Sequence, residues 1–164
     1  LSRQSRCFYT TPIKALSNQK FAEFQQEFGA ANVGLLTGDN NVNGDAPVVV
    51  MTTEVLRNML YEGSSALREL SHVVLDEVHY LADRSRGAVW EEVIIHLPAH
   101  VKVVALSATV SNAEEFGDWL RTVRGDIEVV VEEHRPTPLY QHVIAQRTLY
   151  DLFTDARRIG RAHV

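Results

Sequence analysis

Cysteine is almost absent from this chain of 164 residues, because Cys7 is the only one. A single thiol excludes an internal disulfide and a zinc site built on cysteine pairs. Long apolar runs are missing too: no stretch approaches the roughly 18 residues of a membrane-spanning helix, and no signal peptide is recognisable. We therefore expect a protein of the reducing cytoplasm with no membrane partner.

An excess of positive charge is also missing. The formal net charge is -5, so general electrostatic attraction cannot hold a polyanion. Any contact with nucleic acid must come from local loops and from the N-termini of helices. The chain opens on Leu1 and has its first methionine at Met51, which predicts a fragment of a longer protein.

Apolar sequence is plentiful, since 45% of the residues are hydrophobic, enough for the core of one domain. Short apolar runs alternate with amphipathic stretches, which is typical of βαβ units around a parallel sheet. We predict strands that end at Tyr9 and that cover residues 32–36, 48–51, 72–75, 101–106 and 127–131. We predict helices over residues 18–28, 54–61, 88–97 and 111–121, and a loop over residues 37–47, which are dense in turn residues.

The composition changes near residue 134. Pro136 and Pro138 mark a turn, and residues 147–164 form a polar tail that is rich in arginine. We predict a partial domain over residues 1–134 and, over residues 135–164, an exit segment that leads toward a part of the protein outside this sequence.

Two apolar runs end in polar residues that can carry chemistry. Asp76 and Glu77 follow the first run, in the tetrad DEVH of residues 76–79, and SAT of residues 107–109 follows the second. Strands of phosphate-processing α/β domains deliver carboxylates in this way to hold Mg²⁺ and activate water, and open α/β sheets bind ligands at this edge. The simpler alternative is a solvated acidic strand end. A zinc site is excluded because H-E-x-x-H spacing is lacking.

Three junctions between elements have the composition of phosphate contacts. Residues 9–20, YTTPIKALSNQK, join a strand end to a helix start and include Lys14 as one charged group. Residues 37–39, TGD, form a turn, and residues 52–54 open a helix that also carries Arg57. Each junction has a plainer alternative, respectively an ordinary βα turn with a surface lysine, a simple turn, and helix capping.

The motifs together resemble one family. YTTPIKALSNQK is similar to helicase motif Ia, TGD to motif Ib, DEVH to motif II and SAT to motif III, and MTTEVLRNML resembles the segment after motif Ib. Their order resembles superfamily 2 DExH helicases of the superkiller and exosome-associated RNA helicase group, in particular the actinobacterial branch. The resemblance runs from about Cys7 to Phe153.

This resemblance implies a fold, an activity and a set of site residues. The fold is α/β: a RecA-like parallel sheet with flanking helices, the P-loop NTPase fold. The activity is ATP-driven movement along nucleic acid or its unwinding, with ATP and Mg²⁺ as cofactors and RNA as partner, DNA being the alternative. Asp76 and Glu77 would serve Mg²⁺ and water, and His79, Ser107 and Thr109 would couple hydrolysis to motion. The residues near the nucleic-acid backbone would be Pro12, Lys14, Thr37, Gly38, Thr53 and Arg57.

Two family features are absent from the sequence. No G-x-x-x-x-G-K-[ST] phosphate loop occurs, and the second motor domain is missing. We therefore expect an incomplete domain that lacks the phosphate-loop strand and, as an isolated chain, hydrolyses no ATP. The alternatives are a non-enzymatic module that binds nucleic acid or a protein partner, and a DNA-repair helicase relative. A phosphate loop encoded upstream would decide for the enzyme.

Overall fold

The computed structural model describes residues 5–83, 87–108, 113–132, 137, 140–155 and 158–159. The chain forms two compact units, Leu1–Val129 and Val130–Val164. The first unit is a six-stranded sheet with helices, and the second contains two short β-hairpins. None of the helices in the described ranges is both long and apolar enough to cross a bilayer.

The sheet of the first unit has the strand order β3-β2-β4-β1-β5-β6. All neighbouring strands are parallel except β3, which is antiparallel to β2. The strands are β1 Arg6–Thr11, β2 Val33–Leu36, β3 Asn41–Val42, β4 Val48–Thr52, β5 Leu70–Leu75 and β6 Lys102–Ala105. The helices are α1 Lys14–Phe28, α2 Thr53–Glu62, α3 Gly87–His96 and α4 Ala113–Arg124. Single 3-10 turns lie at Ala30–Asn32, Ser65–Glu69 and Val78–Ala82.

Helices cover both faces of the central strands. Because successive side chains of a strand point to opposite faces, Phe8 and Tyr9 belong to different layers. The layer of Phe8 packs with α2, α3 and α4, and its fully buried members are Phe8, Met51, Leu56, Val73, Leu75, Val93 and Ile94. The layer of Tyr9 packs with α1, and its members are Val33, Leu35, Val50, Tyr9, Phe21 and Phe24. Burial on both faces explains why these strands are continuously apolar.

Helix α1 begins at Lys14, four residues before the predicted start at Asn18. The Thr11 hydroxyl donates to the Ile13 carbonyl at 3.1 Å and lies 2.7 Å from the Ser17 hydroxyl. These bonds close the turn directly after Pro12, so the helix starts at once and Asn18 lies inside it.

The predicted loop over residues 37–47 contains the short strand β3, which pairs with β2 through Leu35 and Leu36. The Arg6 side chain, 5% exposed, donates from Nε to the Ala46 carbonyl at 3.2 Å and from its terminal nitrogen to the Gly44 carbonyl. These bonds fix the course of the chain from β3 to β4. The hydrophobic periodicity of the sequence does not predict them.

The predicted strand over residues 127–131 is wrong. These residues have no regular secondary structure, and Val130 and Val131 are 81% and 66% exposed. A strand needs a hydrogen-bonding neighbour as well as an apolar sequence, and within the described part of the chain this segment pairs with none.

The second unit contains strands where an exit segment was expected. Its hairpins are β7 His142–Ala145 with β8 Thr148–Asp151, and β9 Phe153–Asp155 with β10 Arg158–Ile159. The first hairpin turns through Gln146 and Arg147, both with positive φ, as a two-residue hairpin turn requires. Neither residue is a usual choice there, so no hairpin pattern is recognisable at these positions. The prediction of the domain boundary at residue 134 stays a prediction.

Candidate functional site

The polar ends of β1, β5 and β6 meet at one edge of the sheet. Backbone pairing continues past the strand ends: the Asp76 N–H donates to the Thr10 carbonyl, and the Val78 N–H donates to the Leu106 carbonyl, both at 2.9 Å. The chain after β5 is therefore held between its two neighbours. This places Asp76 and Glu77 at the carboxyl edge, where parallel α/β sheets bind ligands.

Both carboxylate oxygens of Asp76 accept hydrogen bonds. The Tyr9 hydroxyl donates to Oδ2 at 2.6 Å, and the Glu77 backbone N–H donates to Oδ1 at 2.9 Å. Burial of the phenol raises the pKa of Tyr9, and the hydrogen bond to Asp76 raises it further. The phenol therefore stays protonated and serves as a permanent donor to the carboxylate.

Glu77 has a left-handed backbone, with φ 54° and ψ 43°. A residue with a Cβ pays a steric cost there, and such conformations concentrate at functional sites. The conformation turns the chain abruptly into the 3-10 turn Val78–Ala82. Tyr80 anchors this turn by stacking on the buried Trp90, with ring centroids 5.9 Å apart.

His79 lies next to Glu77. Its Nδ1 is 3.1 Å from Glu77 Oε2, and each side chain is about one-third exposed. The Nδ1 atom makes no well-aligned hydrogen bond to any described residue, so the contact with Glu77 is not a hydrogen bond. It brings together two of the predicted site residues and leaves the carboxylate partly open to solvent.

The third predicted motif is only partly described. Ser107 is exposed just after β6, and Thr109 lies outside the described residues. Ser107 is connected to the site through Leu106, whose N–H donates to the Leu75 carbonyl at 2.9 Å. The backbone thus brings Ser107 to the same edge as Asp76.

The loop after β1 is joined to the start of α2. Pro12 is buried, and so is Thr53, whose hydroxyl donates to the Thr11 carbonyl at 3.2 Å. Thr52 is the N-cap residue of α2, which agrees with the capping alternative in position, but its side chain makes no capping hydrogen bond, and the Thr53 hydroxyl bonds to the loop instead. What this region offers a ligand is backbone N–H groups and not the Thr53 hydroxyl.

Lys14 meets the turn of residues 37–39. Its ammonium group forms an ion pair with Asp39, and the Thr37 hydroxyl donates to Asp39 Oδ1 at 3.2 Å. The hydrogen bond from Lys14 lowers the pKa of Asp39. Thr37 is buried and Gly38 is exposed. The structure thus brings together Lys14, Thr37 and Gly38, with Asp39 as an additional member.

Arg57 contacts side chains of the helical layer. Its Nε lies 3.8 Å from the Glu92 carboxylate of α3, and its guanidinium donates to the side chain of Asn58. The Arg57 side chain is 32% exposed, so part of its surface is open to a ligand.

The carboxylates of Asp76 and Glu77 suit Mg²⁺ only if phosphate oxygens of a ligand share the coordination of the ion. Oxygen is the donor that Mg²⁺ prefers, and proteins commonly hold this ion with one or two carboxylates plus substrate phosphates. Among the described residues, no cluster of three or more acidic, histidine or cysteine side chains could hold a metal alone. Asp76 and Glu77 therefore fit the protein's share of a magnesium–nucleotide site.

Two members of the site were not predicted from sequence, Tyr9 and Asp39. Tyr9 was treated as a strand end and as the first residue of the segment 9–20, with no role of its own, and Asp39 was noted only as part of a turn. The missing information for Tyr9 was the register that places β1 beside β5. For Asp39 it was the approach of α1 to the loop after β2, a contact between residues distant in sequence.

The sequence matches a known family over most of its length. The model of the DEAD/DEAH box helicase family matches residues 1–116. The chain is 67% identical over 153 residues to a probable helicase HelY of Mycobacterium leprae, covering 93% of this chain and 17% of that protein. It is 51% identical over 146 residues to the antiviral helicase SKI2 of Saccharomyces cerevisiae, covering 88% of this chain and 11% of that protein. The chain thus spans less than a fifth of the length of these relatives.

Solved structures agree with this fold. The Mycobacterium smegmatis helicase Lhr bound to ssDNA and AMP-PNP superposes with a TM-score of 0.55 at 25% identity, covering 69% of this chain and 18% of that chain. Dbp5 of S. cerevisiae bound to RNA and ADP BeF3 superposes with a TM-score of 0.59 at 21% identity, covering 73% and 32%. The predicted RecA-like α/β fold and the predicted superkiller-type resemblance are confirmed, and the chain belongs to the DEAD/DEAH box helicase family.

Proposed function

We propose that this chain is part of the first motor domain of an ATP-dependent RNA helicase, which uses ATP and Mg²⁺. The observation that carries the proposal is the position of Asp76 and Glu77. They lie at the carboxyl edge of the sheet, between the β1 end that leads to Lys14 and the β6 end that leads to Ser107. Coupling of hydrolysis to movement requires a nucleotide site and a nucleic-acid site that are joined by a short path through the protein.

In this proposal each residue of the DEVH tetrad has its own task. Bound Mg²⁺ would neutralise charge on the nucleotide phosphates. Asp76 would hold a water of the ion, with its orientation fixed by the bonds at both carboxylate oxygens. Glu77 would take a proton from the attacking water, and its neighbour His79, with Ser107 and Thr109, would couple this step to motion.

The nucleic-acid backbone would bind along the loops after β1 and β2 and at the start of α2. Support comes from two observed links, the Thr53–Thr11 hydrogen bond and the Lys14–Asp39 ion pair, which make these three segments neighbours. Backbone N–H groups, Lys14 and the exposed part of Arg57 are suitable hydrogen-bond donors to the phosphate oxygens of the nucleic acid. Residues Pro12, Thr37, Gly38 and Thr53 would shape this surface.

RNA is the proposed substrate, with DNA as the alternative. The relatives include superkiller complex protein 2 of Homo sapiens, 51% identical over 153 residues, which covers 91% of this chain and 12% of that protein. The neighbour solved with ssDNA keeps the alternative open. We propose a cytoplasmic location, which fits the single unpaired cysteine, Cys7.

The decisive experiment is an ATPase assay on the complete protein that contains this chain, with single-stranded RNA or DNA of the same sequence added. We expect hydrolysis that RNA stimulates more than DNA and that Asp76→Asn abolishes. The 164-residue chain alone should be inactive. Binding of nucleic acid without any hydrolysis would instead support a non-enzymatic module, and stronger stimulation by DNA would overturn the RNA assignment.

A further inference from the structure

We propose that Tyr9 is a positioning residue that orients the Asp76 carboxylate and ties it to α1. The inference rests on the proposed function, because it gives Asp76 a role in holding hydrated Mg²⁺. Tyr9 is uncharged, and it lies on a different strand from the one that leads to the DEVH tetrad. Its role follows from the register of the sheet and from its two contacts.

Strand register brings the phenol to the carboxylate. Tyr9 of β1 pairs with Val74 of β5 in a parallel ladder. Asp76 follows Val74 by two residues, so its side chain lies on the same face of the sheet as Tyr9. The long Tyr9 side chain spans this offset, and its hydroxyl reaches Asp76 Oδ2 at 2.6 Å.

The hydrogen bond from Tyr9 fixes the orientation of the Asp76 carboxylate and leaves some of its lone pairs free. An ionised carboxylate offers about four lone-pair sites. The Glu77 N–H uses one on Oδ1, and the Tyr9 hydroxyl uses one on Oδ2. The remaining sites stay available to a water of the metal ion. Hydrogen-bond donors that orient a metal-binding carboxylate change its affinity for the metal without contacting the ion.

The other side of the Tyr9 ring contacts α1. The ring meets Phe24 edge to face, with centroids 5.0 Å apart and an interplanar angle of 89°. Phe24 in turn contacts Phe28, at 5.6 Å between centroids. One turn before Phe24, the Lys20 side chain is close enough to Asp76 for the carboxylate to contribute to the raised pKa of Lys20, whose largest cause is the hydrogen bond to Glu23.

This arrangement links Tyr9 directly to Asp76 and, through Phe24, to helix α1. Helix α1 starts at Lys14, in the loop proposed to bind the nucleic-acid backbone. A shift of α1 on binding would move Phe24 against the Tyr9 ring, and the hydroxyl would transmit the shift to Asp76. The ring carries the contact with α1, and the hydroxyl carries the contact with the metal-binding carboxylate, so the two can be separated by substitution.

Tyr9→Phe in the complete protein tests the hydroxyl. The ring and its contact with Phe24 remain, and only the donor to Asp76 is lost. We expect the Mg²⁺ concentration for half-maximal binding of a fluorescent, non-hydrolysable ATP analogue to rise about tenfold or more. Analogue binding in excess EDTA should stay that of the parent. Tyr140→Phe is the control, since that phenol is 77% exposed in the second unit.

Phe24→Leu tests the ring contact. This variant keeps the Tyr9 hydroxyl, so its Mg²⁺ dependence should stay close to that of the parent, while the stimulation of ATPase by RNA should fall severalfold. Together the two variants assign separate roles to the two contacts of Tyr9.

The outcomes separate this inference from the proposed function. An unchanged Mg²⁺ dependence in Tyr9→Phe overturns the inference even if the parent hydrolyses ATP normally. An equal loss of binding with and without Mg²⁺ also overturns it, because it would make Tyr9 a structural residue. A parent that binds the analogue but does not hydrolyse ATP refutes the proposed activity and leaves the Mg²⁺ titration as the test of Tyr9. A parent that binds no nucleotide overturns both.

Discussion

The ends of β5 and β6 are adjacent in the sheet but differ in their surroundings. Leu75 ends β5 and is fully buried, whereas Leu106, whose N–H donates to the Leu75 carbonyl, is 42% exposed. β5 lies between two strands, and β6 is at the end of the sheet, where its outer edge pairs with no strand in the described ranges. Val104 of β6 is also partly exposed, at 45%.

Because of this difference, the residues after β5 are rigidly placed, whereas the residues after β6 lie at a more exposed part of the sheet. Asp76 and Glu77 follow a strand that is paired on both sides and packed on the core, so their positions are fixed by the fold. Ser107 follows a strand with one open edge, where the backbone is held less firmly. The residues proposed for chemistry thus follow the rigid strand, whereas Ser107, one of the residues proposed for coupling, follows the less constrained one.

The largest expected effect concerns the rigid side. Glu77→Gln keeps the size of the side chain and removes its capacity to take a proton. In the complete protein, kcat for ATP should fall by about 10²–10⁴-fold, the usual contribution of a general base, while affinity for an ATP analogue persists. Glu91→Gln, on the exposed face of α3, is the matched control. If Glu77→Gln hydrolyses ATP at the parental rate, the assignment of the DEVH tetrad to the catalytic site is wrong.

The second prediction compares the two leucines directly. Leu75→Ala opens a cavity in the core and should lower the free energy of unfolding by about 2–5 kcal/mol. Leu106→Ala removes the same atoms from a partly exposed site and should cost less than about 1 kcal/mol. Urea unfolding of the chain, followed by the fluorescence of Trp90 and Trp119, measures both.

Equal losses for the two leucine variants would contradict the comparison. That result would mean that the β6 edge is covered in solution, by a segment or partner that buries Leu106 as fully as the core buries Leu75. A cost at Leu106 that appears only at high protein concentration would identify self-association as the cover.

The smallest expected effect concerns the exposed ion pair of Lys14 and Asp39. Nucleic acid must compete with Asp39 for the ammonium group, and an exposed ion pair of this kind is only a weak competitor because water screens it. Asp39→Asn should therefore tighten RNA binding by the complete protein by up to about fivefold. Lys14→Ala should weaken it and reduce the slope of log affinity against log salt by about one.

Fluorescence anisotropy with labelled RNA at several salt concentrations measures both changes. Asp45→Asn, a change of the same type in the exposed loop between β3 and β4, controls for net charge. If Asp45→Asn tightens binding as much as Asp39→Asn, the effect belongs to general electrostatics and the ion pair has no special role.

The sequence predicted the central part of the fold better than its margins. The strand that leads to Asp76 and the helix that begins at Thr53 were found because apolar periodicity and turn residues mark them locally. The strand predicted over residues 127–131 failed, and the hairpin through Gln146 and Arg147 was missed. In both cases hydrogen-bonding partners decide the structure, and a local pattern cannot report them.

The proposed chemistry of the site follows from the sequence itself. Two carboxylates directly after an apolar strand, and hydroxyl residues after the next, predict a place for Mg²⁺ and water, because strand ends of a parallel sheet meet at one edge. The tertiary structure alone decided which residues support that chemistry. Tyr9 reaches Asp76 across a strand register, and Asp39 reaches Lys14 across a helix–loop approach. Both contacts join residues far apart in the chain, and only packing brings them within hydrogen-bonding distance.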